Sequence, residues 1–254
     1  MNTTKLPISN YPFLLLFLST FFLLFSCKQE PKGKKNPNQE VTKKETTEIE
    51  NSPINQFPET GKHITDFVKP PYKIQYEAEG FLDNDKLKDI AIVLQDENDK
   101  TSSRPTLVLI KQPDGGYKLN EISWVAIGPE YTVDDYRIYD SEDVSIYSHQ
   151  LTFSMSSIGP NGNKETTYNL LNNQLVLATI STYNMGAGGQ SGMDYNLSTG
   201  EIDFVEVNTM IDSMPSTLTK KVLKLKNKIL FKKDNPNDII DTIFKVKLEN
   251  DGTR

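Results

Sequence analysis

Gly80-Phe81-Leu82-Asp83-Asn84-Asp85-Lys86-Leu87-Lys88-Asp89-Ile90-Ala91-Ile92-Val93-Leu94 sets a polar, turn-forming loop directly against five consecutive apolar residues. An unbroken apolar run of that length is expected for a strand covered on both faces. Leu107-Val108-Leu109-Ile110 reads the same way, and Tyr72 to Ala78 alternates as a half-buried strand does. Asp114-Gly115 followed by Tyr117-Lys118-Leu119 is a hairpin signal. Further strands are expected at Leu151–Met155, Thr166–Leu171, Leu175–Tyr183, Asp194–Leu197 and Ile202–Val207, with turns at Asn172-Asn173 and Thr199-Gly200. Short strands at regular spacing predict a mainly β fold, an antiparallel sheet or sandwich-like domain.

One stretch departs from this rhythm. In Ser216 to Phe231, STLTKKVLKLKNKILF, Leu218, Val222, Leu225 and Ile229 fall near helical spacing, with Ser216 placed to cap. Val222 to Leu225 also alternates like a strand, so one C-terminal helix and one more strand are both open readings.

Outward from this core, the N-terminus reads as an address. Lys5 precedes Phe13 to Phe25, an almost wholly apolar run of 13 residues. That is shorter than the roughly 20 a spanning helix needs, and it matches the core of an export signal. Leu24-Phe25-Ser26-Cys27 resembles a lipobox, so residues 1–26 are expected to be cleaved and Cys27 to carry the lipid. Phe25 is bulkier than the small residue usual there. Burial of acyl chains is worth about 0.8 kcal/mol per CH₂, and two chains hold stably. Residues 27–64 lack apolar periodicity and read as a lipidated cysteine on a disordered tether, spanning roughly 30–35 Å as a coil. Residues 65–254 are expected to form the globular domain. The expected location is the bacterial cell envelope, with the outer membrane favoured and the membrane itself the first partner.

The net charge of −6 stands against nucleic-acid binding, which needs clustered cations. One cysteine and two histidines leave few metal-binding or nucleophilic groups. His63 falls in the tether and His149 at a turn, and Trp124 is expected to fill the core. Asn184 to Gly192 is glycine-rich, but strand-like residues follow where a phosphate loop needs a helix, so it reads as a flexible loop. Tyr131 to Tyr147 holds Asp134, Asp135, Asp140, Glu142 and Asp143 and reads as a charged, half-exposed surface loop. A glycosidase would need two of those acids across one cleft.

The aspartate loop resembles the single loop of FG-GAP/VCBS-type repeats, G-D-x-N/D-x-D-G-x-x-D before a hydrophobic strand. There, oxygens on alternate residues wrap Ca²⁺ as hard ligands in a tight turn. The resemblance implies Asp83, Asp85 and Asp89 as metal ligands. It also places Phe81 where a ligating acid belongs and Lys86 where the turn glycine belongs. Both changes weaken Ca²⁺ binding, and a loop kept for shape, with Asp83 and Asn84 capping amides, is the preferred reading. Together with Arg104 to Ile110, Gln112 to Tyr117 and Asp194 to Gly200, the order of segments over about 79–207 is similar to a group of Gram-negative lipoproteins with one VCBS-like repeat. The group brings a fold and an envelope location, and no activity. No cofactor is expected, with Ca²⁺ the one ion the resemblance introduces. The functional expectation is a non-enzymatic binding or assembly module for an envelope protein or glycan. The alternatives are a hydrolase of polysaccharide or peptide, and a Ca²⁺-stabilised adhesin.

Overall fold

The computed structural model describes residues 56–159 and 161–251, and the expected signal and Cys27 lie outside them. Twelve strands form two antiparallel sheets. The smaller has the order β1-β5-β4-β3-β2, from Thr60–Gly61 (β1), Tyr72–Gly80 (β2), Asp89–Asp96 (β3), Thr106–Lys111 (β4) and Tyr117–Ser123 (β5). The larger is a seven-stranded meander built from Ser141–Tyr147 (β6), Gln150–Ser156 (β7), Asn163–Leu171 (β8), Gln174–Gly186 (β9), Gly189–Asn196 (β10), Glu201–Asn208 (β11) and Ser216–Val222 (β12). A single helix, Pro236–Asp251 (α1), follows. The fold is mainly β, as the spacing of short strands indicates.

The run Ile90–Leu94 is buried at every residue because the smaller sheet is covered on both faces. Ala91, Val93, Val108 and Ala78 point toward the larger sheet and share its core with Phe153, Tyr168 and Phe204. Ile90, Ile92, Leu94, Leu107 and Leu109 point the other way and pack with Phe57 and Phe67. The covering layer on that side comes from residues that the sequence assigns to the tether. Phe57 is 4% exposed, β1 pairs with β5, and a short 3-10 helix spans Ile64–Phe67. Asp66 fixes its start by accepting the Lys62 and His63 amides at 2.8 and 2.9 Å. The fold therefore begins before residue 65, and His63 belongs to it. Trp124 packs beside Phe57 and Tyr72, its ring centroid 6.3 Å from each, and those two rings are 6.0 Å apart.

The helix lies elsewhere than in Ser216–Phe231. Residues Ser216–Val222 form β12, paired with β11 from Glu201↔Val222 to Val207↔Ser216. The next residues cross the end of the sheet, where Phe231 donates its amide to the Leu175 carbonyl. Helix α1 starts at Pro236, after Asn235 accepts the Asn237 amide at 3.0 Å. Asparagine as cap and proline as first helical residue are favoured start signals. Ile239, Ile240, Ile243 and Phe244 dock on the larger sheet.

The two sheets meet where β2 crosses β6. A Cβ on Gly80 would overlap the Ile146 carbonyl and side chain, so only glycine permits this approach. Glu121 on β5 adds a second tie by accepting the Leu175 amide of β9 at 2.9 Å, and Ser123 donates to the Phe231 carbonyl at 2.5 Å. Gly80→Ala is expected to lower stability by about 1–3 kcal/mol through overpacking. Urea unfolding reads this as a lower midpoint at constant slope, and an unchanged midpoint would mean the strands can part freely.

Candidate functional site

Strand alternation gives the larger sheet two opposite characters. Its inner row is Glu142, Met155, Lys164, Thr182, Met193 and Phe204, by register across β6 to β11. The outer row one residue along is Asp143, Ser154, Glu165, Ser181, Asp194, Asp203 and Lys220, a line of hydroxyls and charges crossing seven strands.

The inner row holds an ion pair. Glu142 and Arg104 are each 1% exposed in their side chains. Arg104 Nη1 donates to Glu142 Oε2 at 2.6 Å and Nη2 to Oε1 at 2.7 Å. Two further donors are used: Nε reaches the Gly128 carbonyl at 2.7 Å, and Nη1 also reaches Gln75 Oε1 at 3.0 Å. Tyr76 OH donates to Glu142 at 3.1 Å. Both Gln75 and Tyr76 can face the pair because the β2–β3 register shifts between Ile74 and Tyr76. Burial, with Glu142 beside it, raises the Tyr76 phenol above its ordinary value. The stretch Tyr131–Tyr147 is thus not one surface loop: its last seven residues are β6, and Glu142 is locked in the core. Asp140 is exposed and accepts the Ile158 amide at 2.9 Å, so these two acids do not face one cleft.

Half-buried Lys164 lies two strands from Glu142 on the same face, donating to Asn237 of α1 at 2.7 Å with the Tyr139 ring 5.5 Å away. Desolvation lowers its ammonium to about 8, opposed by Glu142 and assisted by Arg104.

From Glu165 to Lys220 the outer row lines an open concavity of about 700 Å³, with Asn196 among its other residues. Asp194 and Asp203 sit directly opposite, a like-charge pairing that disfavours the sheet unless compensated. Compensation comes from each side. Ser181 Oγ donates to Asp194 at 2.6 Å, and Lys220 Nζ reaches Asp203 at 2.7 Å. Ser154 Oγ likewise donates to Glu165 at 2.9 Å. Sequence reasoning missed this row because its members lie on seven separate strands. The alternation within each strand, once the register is known, is the signal that finds it.

The aspartate loop is closed by its own backbone. Asp83 Oδ1 accepts the Asp85 amide at 2.9 Å, and Asp85 Oδ1 accepts the Leu87 amide at 2.7 Å. Asp89 is buried and accepts amides from Leu82 at 2.9 Å, Asp83 at 3.4 Å and Lys111 at 3.0 Å. Its burial raises its carboxyl pKa even though these amides oppose the rise. Lys86 takes a positive φ of 67°, the conformation a turn glycine would adopt. Phe81 supplies no oxygen, and Asp89 is turned inward. Among the described residues no three His, Cys, Asp or Glu side chains form a metal-holding group. Asp83 and Asn84 instead line a depression beside Ser148, His149, Asn172 and Asn173. Both residue pairs there have positive φ, as two-residue hairpin turns of type I′ require.

The glycine-rich stretch is mostly strand. β9 extends to Gly186 and β10 begins at Gly189, leaving Ala187-Gly188 as the turn.

Because the folded protein holds the Lys164 amine neutral more readily than the unfolded chain does, unfolding takes up a proton between pH 8 and 10.5. The contribution of this group to stability is therefore lowest below pH 8 and rises through that window. Urea unfolding across it should show a rise that Lys164→Met removes, and equal slopes in both proteins would contradict the assignment. No family model, curated protein or solved structure matches the chain.

Proposed function

We propose that the protein is a lipid-anchored lipoprotein of the bacterial cell envelope that binds a polyhydroxylated ligand, an envelope glycan, on the outer face of its larger sheet. The observation that carries the reading is the row of Glu165, Ser181, Asp194, Asp203 and Lys220 lining the concavity, extended by Ser154 on the next strand. Its carboxylates and serine oxygens have lone pairs to accept hydrogen bonds from sugar hydroxyls, and the Lys220 ammonium has further N–H groups beyond its bond to Asp203 to donate to ring and acetal oxygens. The groups stand on paired strands rather than on a loop, which holds their spacing fixed before a ligand arrives.

Binding rather than turnover is favoured because Glu142 is committed to Arg104, and the outer carboxylates are held by neighbouring donors. The lipobox-like Leu24-Phe25-Ser26-Cys27 supports the anchor, and the polar residues after it support a spacer.

Titrating the protein with glycan and peptidoglycan fragments by NMR or calorimetry tests this. Saturable binding is expected, weakened at least tenfold by Ser181→Ala with Asp194→Asn. Release of cleaved product in the same mixtures, or affinity unchanged by the double substitution, would overturn the reading. Labelled fatty acid should enter the native chain and not Cys27→Ala.

A further inference from the structure

We propose that the edge formed by β12 and the segments on either side of it is a docking surface for an anionic lipid bilayer. Between Asp212 and Asp234 the chain carries seven lysines and no acid, although the whole protein has a net charge of −6. Every residue from Ile211 to Lys220 is exposed. At one end of β12 the β11–β12 loop presents Met210, Ile211 and Met214 to solvent, with Met185 of the adjacent hairpin exposed as well. A Cβ on Gly188 would lie 3.9 Å from the Met210 side chain, so the two tips are neighbours. Leu218 and Val222, 54% and 68% exposed, continue the apolar strip along the outer side of β12.

At the other end the chain leaves β12 with alternating character. Leu223 and Leu225 pack against the core while Lys224, Lys226 and Lys228 face solvent. None of these three lysines has an ion pair among the described residues. Lys226 and Lys228 border a depression of about 260 Å³ lined by Leu171, Leu197 and Leu225. Apolar side chains that insert at the level of the headgroups at one end of an exposed strand, with free ammonium groups at its other end, match the chemistry of an anionic membrane surface lying along that edge. A second copy is a poor occupant, because the exposed Lys220 on both edges would meet. A globular acidic partner would leave Met210, Ile211 and Met214 without pockets, whereas a fluid bilayer needs none.

The inference does not rest on acylation, so the test uses the full chain with Cys27→Ser. A single Met210→Cys in that chain carries an environment-sensitive dye, and Tyr147→Cys on β6, at the opposite edge of the sheet, is the control. Vesicles of phosphatidylglycerol and phosphatidylcholine should blue-shift the dye at 210 and leave the dye at 147 unchanged. Lys224→Gln with Lys226→Gln and Lys228→Gln should raise the lipid needed on the order of a hundredfold. No shift at 210 while the protein sediments with vesicles would mean attachment through another segment, and would overturn the proposal. So would an equal shift with pure phosphatidylcholine, or a shift produced by soluble polyglutamate without lipid.

Discussion

A guanidinium and a carboxylate removed from water at the crossing of two sheets set the terms for the rest of this structure. Isolated burial of either charge would cost several kcal/mol, and mutual attraction offsets it only when every remaining donor and acceptor is satisfied. Here Arg104 makes four hydrogen bonds, two to Glu142 and one each to Gln75 and the Gly128 carbonyl, and Glu142 takes a further bond from Tyr76. The partners come from β2, from the loop before β4, from the chain after β5 and from β6. A packing of the two sheets shifted by one residue would turn Glu142 toward solvent and leave Arg104 buried alone. The pair thus selects one arrangement of the sheets, while the apolar contacts of Ala78, Val93, Phe153 and Ile146 supply most of the driving force.

That arrangement has a consequence on the other side of the larger sheet. With Glu142 inward, Asp143 faces outward, and the same alternation carried through the register aligns Ser154, Glu165, Ser181, Asp194, Asp203 and Lys220. The polar outer face and the buried ion pair are two results of one register. The seven-stranded meander brings this face and the lysine-rich edge strand β12 onto one molecule.

The parts of the fold that depend on local chemistry were legible in the sequence. The run Ile90–Leu94 announced a strand buried on both sides, and Asn172-Asn173 and Asp114-Gly115 announced turns, because those signals are carried by adjacent residues. What was hidden depends on partners distant along the chain. Glu142 sits in an acidic stretch that looks solvent-facing, and its burial is decided by an arginine 38 residues earlier. Phe57 follows a run of polar residues, and only the exposed underside of the smaller sheet gives it a place to pack. In Ser216–Phe231 the apolar residues satisfy two periodicities, and pairing with β11 settles the first half as strand. The helix start at Asn235-Pro236 was a local signal and could have been read. In the aspartate loop the sequence carries the turn-forming acids locally, and the fold shows Asp83 Oδ1 accepting the Asp85 amide and Asp89 accepting the Leu82 amide.

A double-mutant cycle on Arg104 and Glu142, read by urea unfolding, addresses the central claim most directly. The account predicts that Arg104→Met and Glu142→Gln alone each lose about 3–5 kcal/mol. It also predicts that together they lose clearly less than the sum, because neither leaves a lone buried charge. Single losses below about 1 kcal/mol that simply add would contradict it, since the ion pair would then have no part in fixing how the two sheets pack.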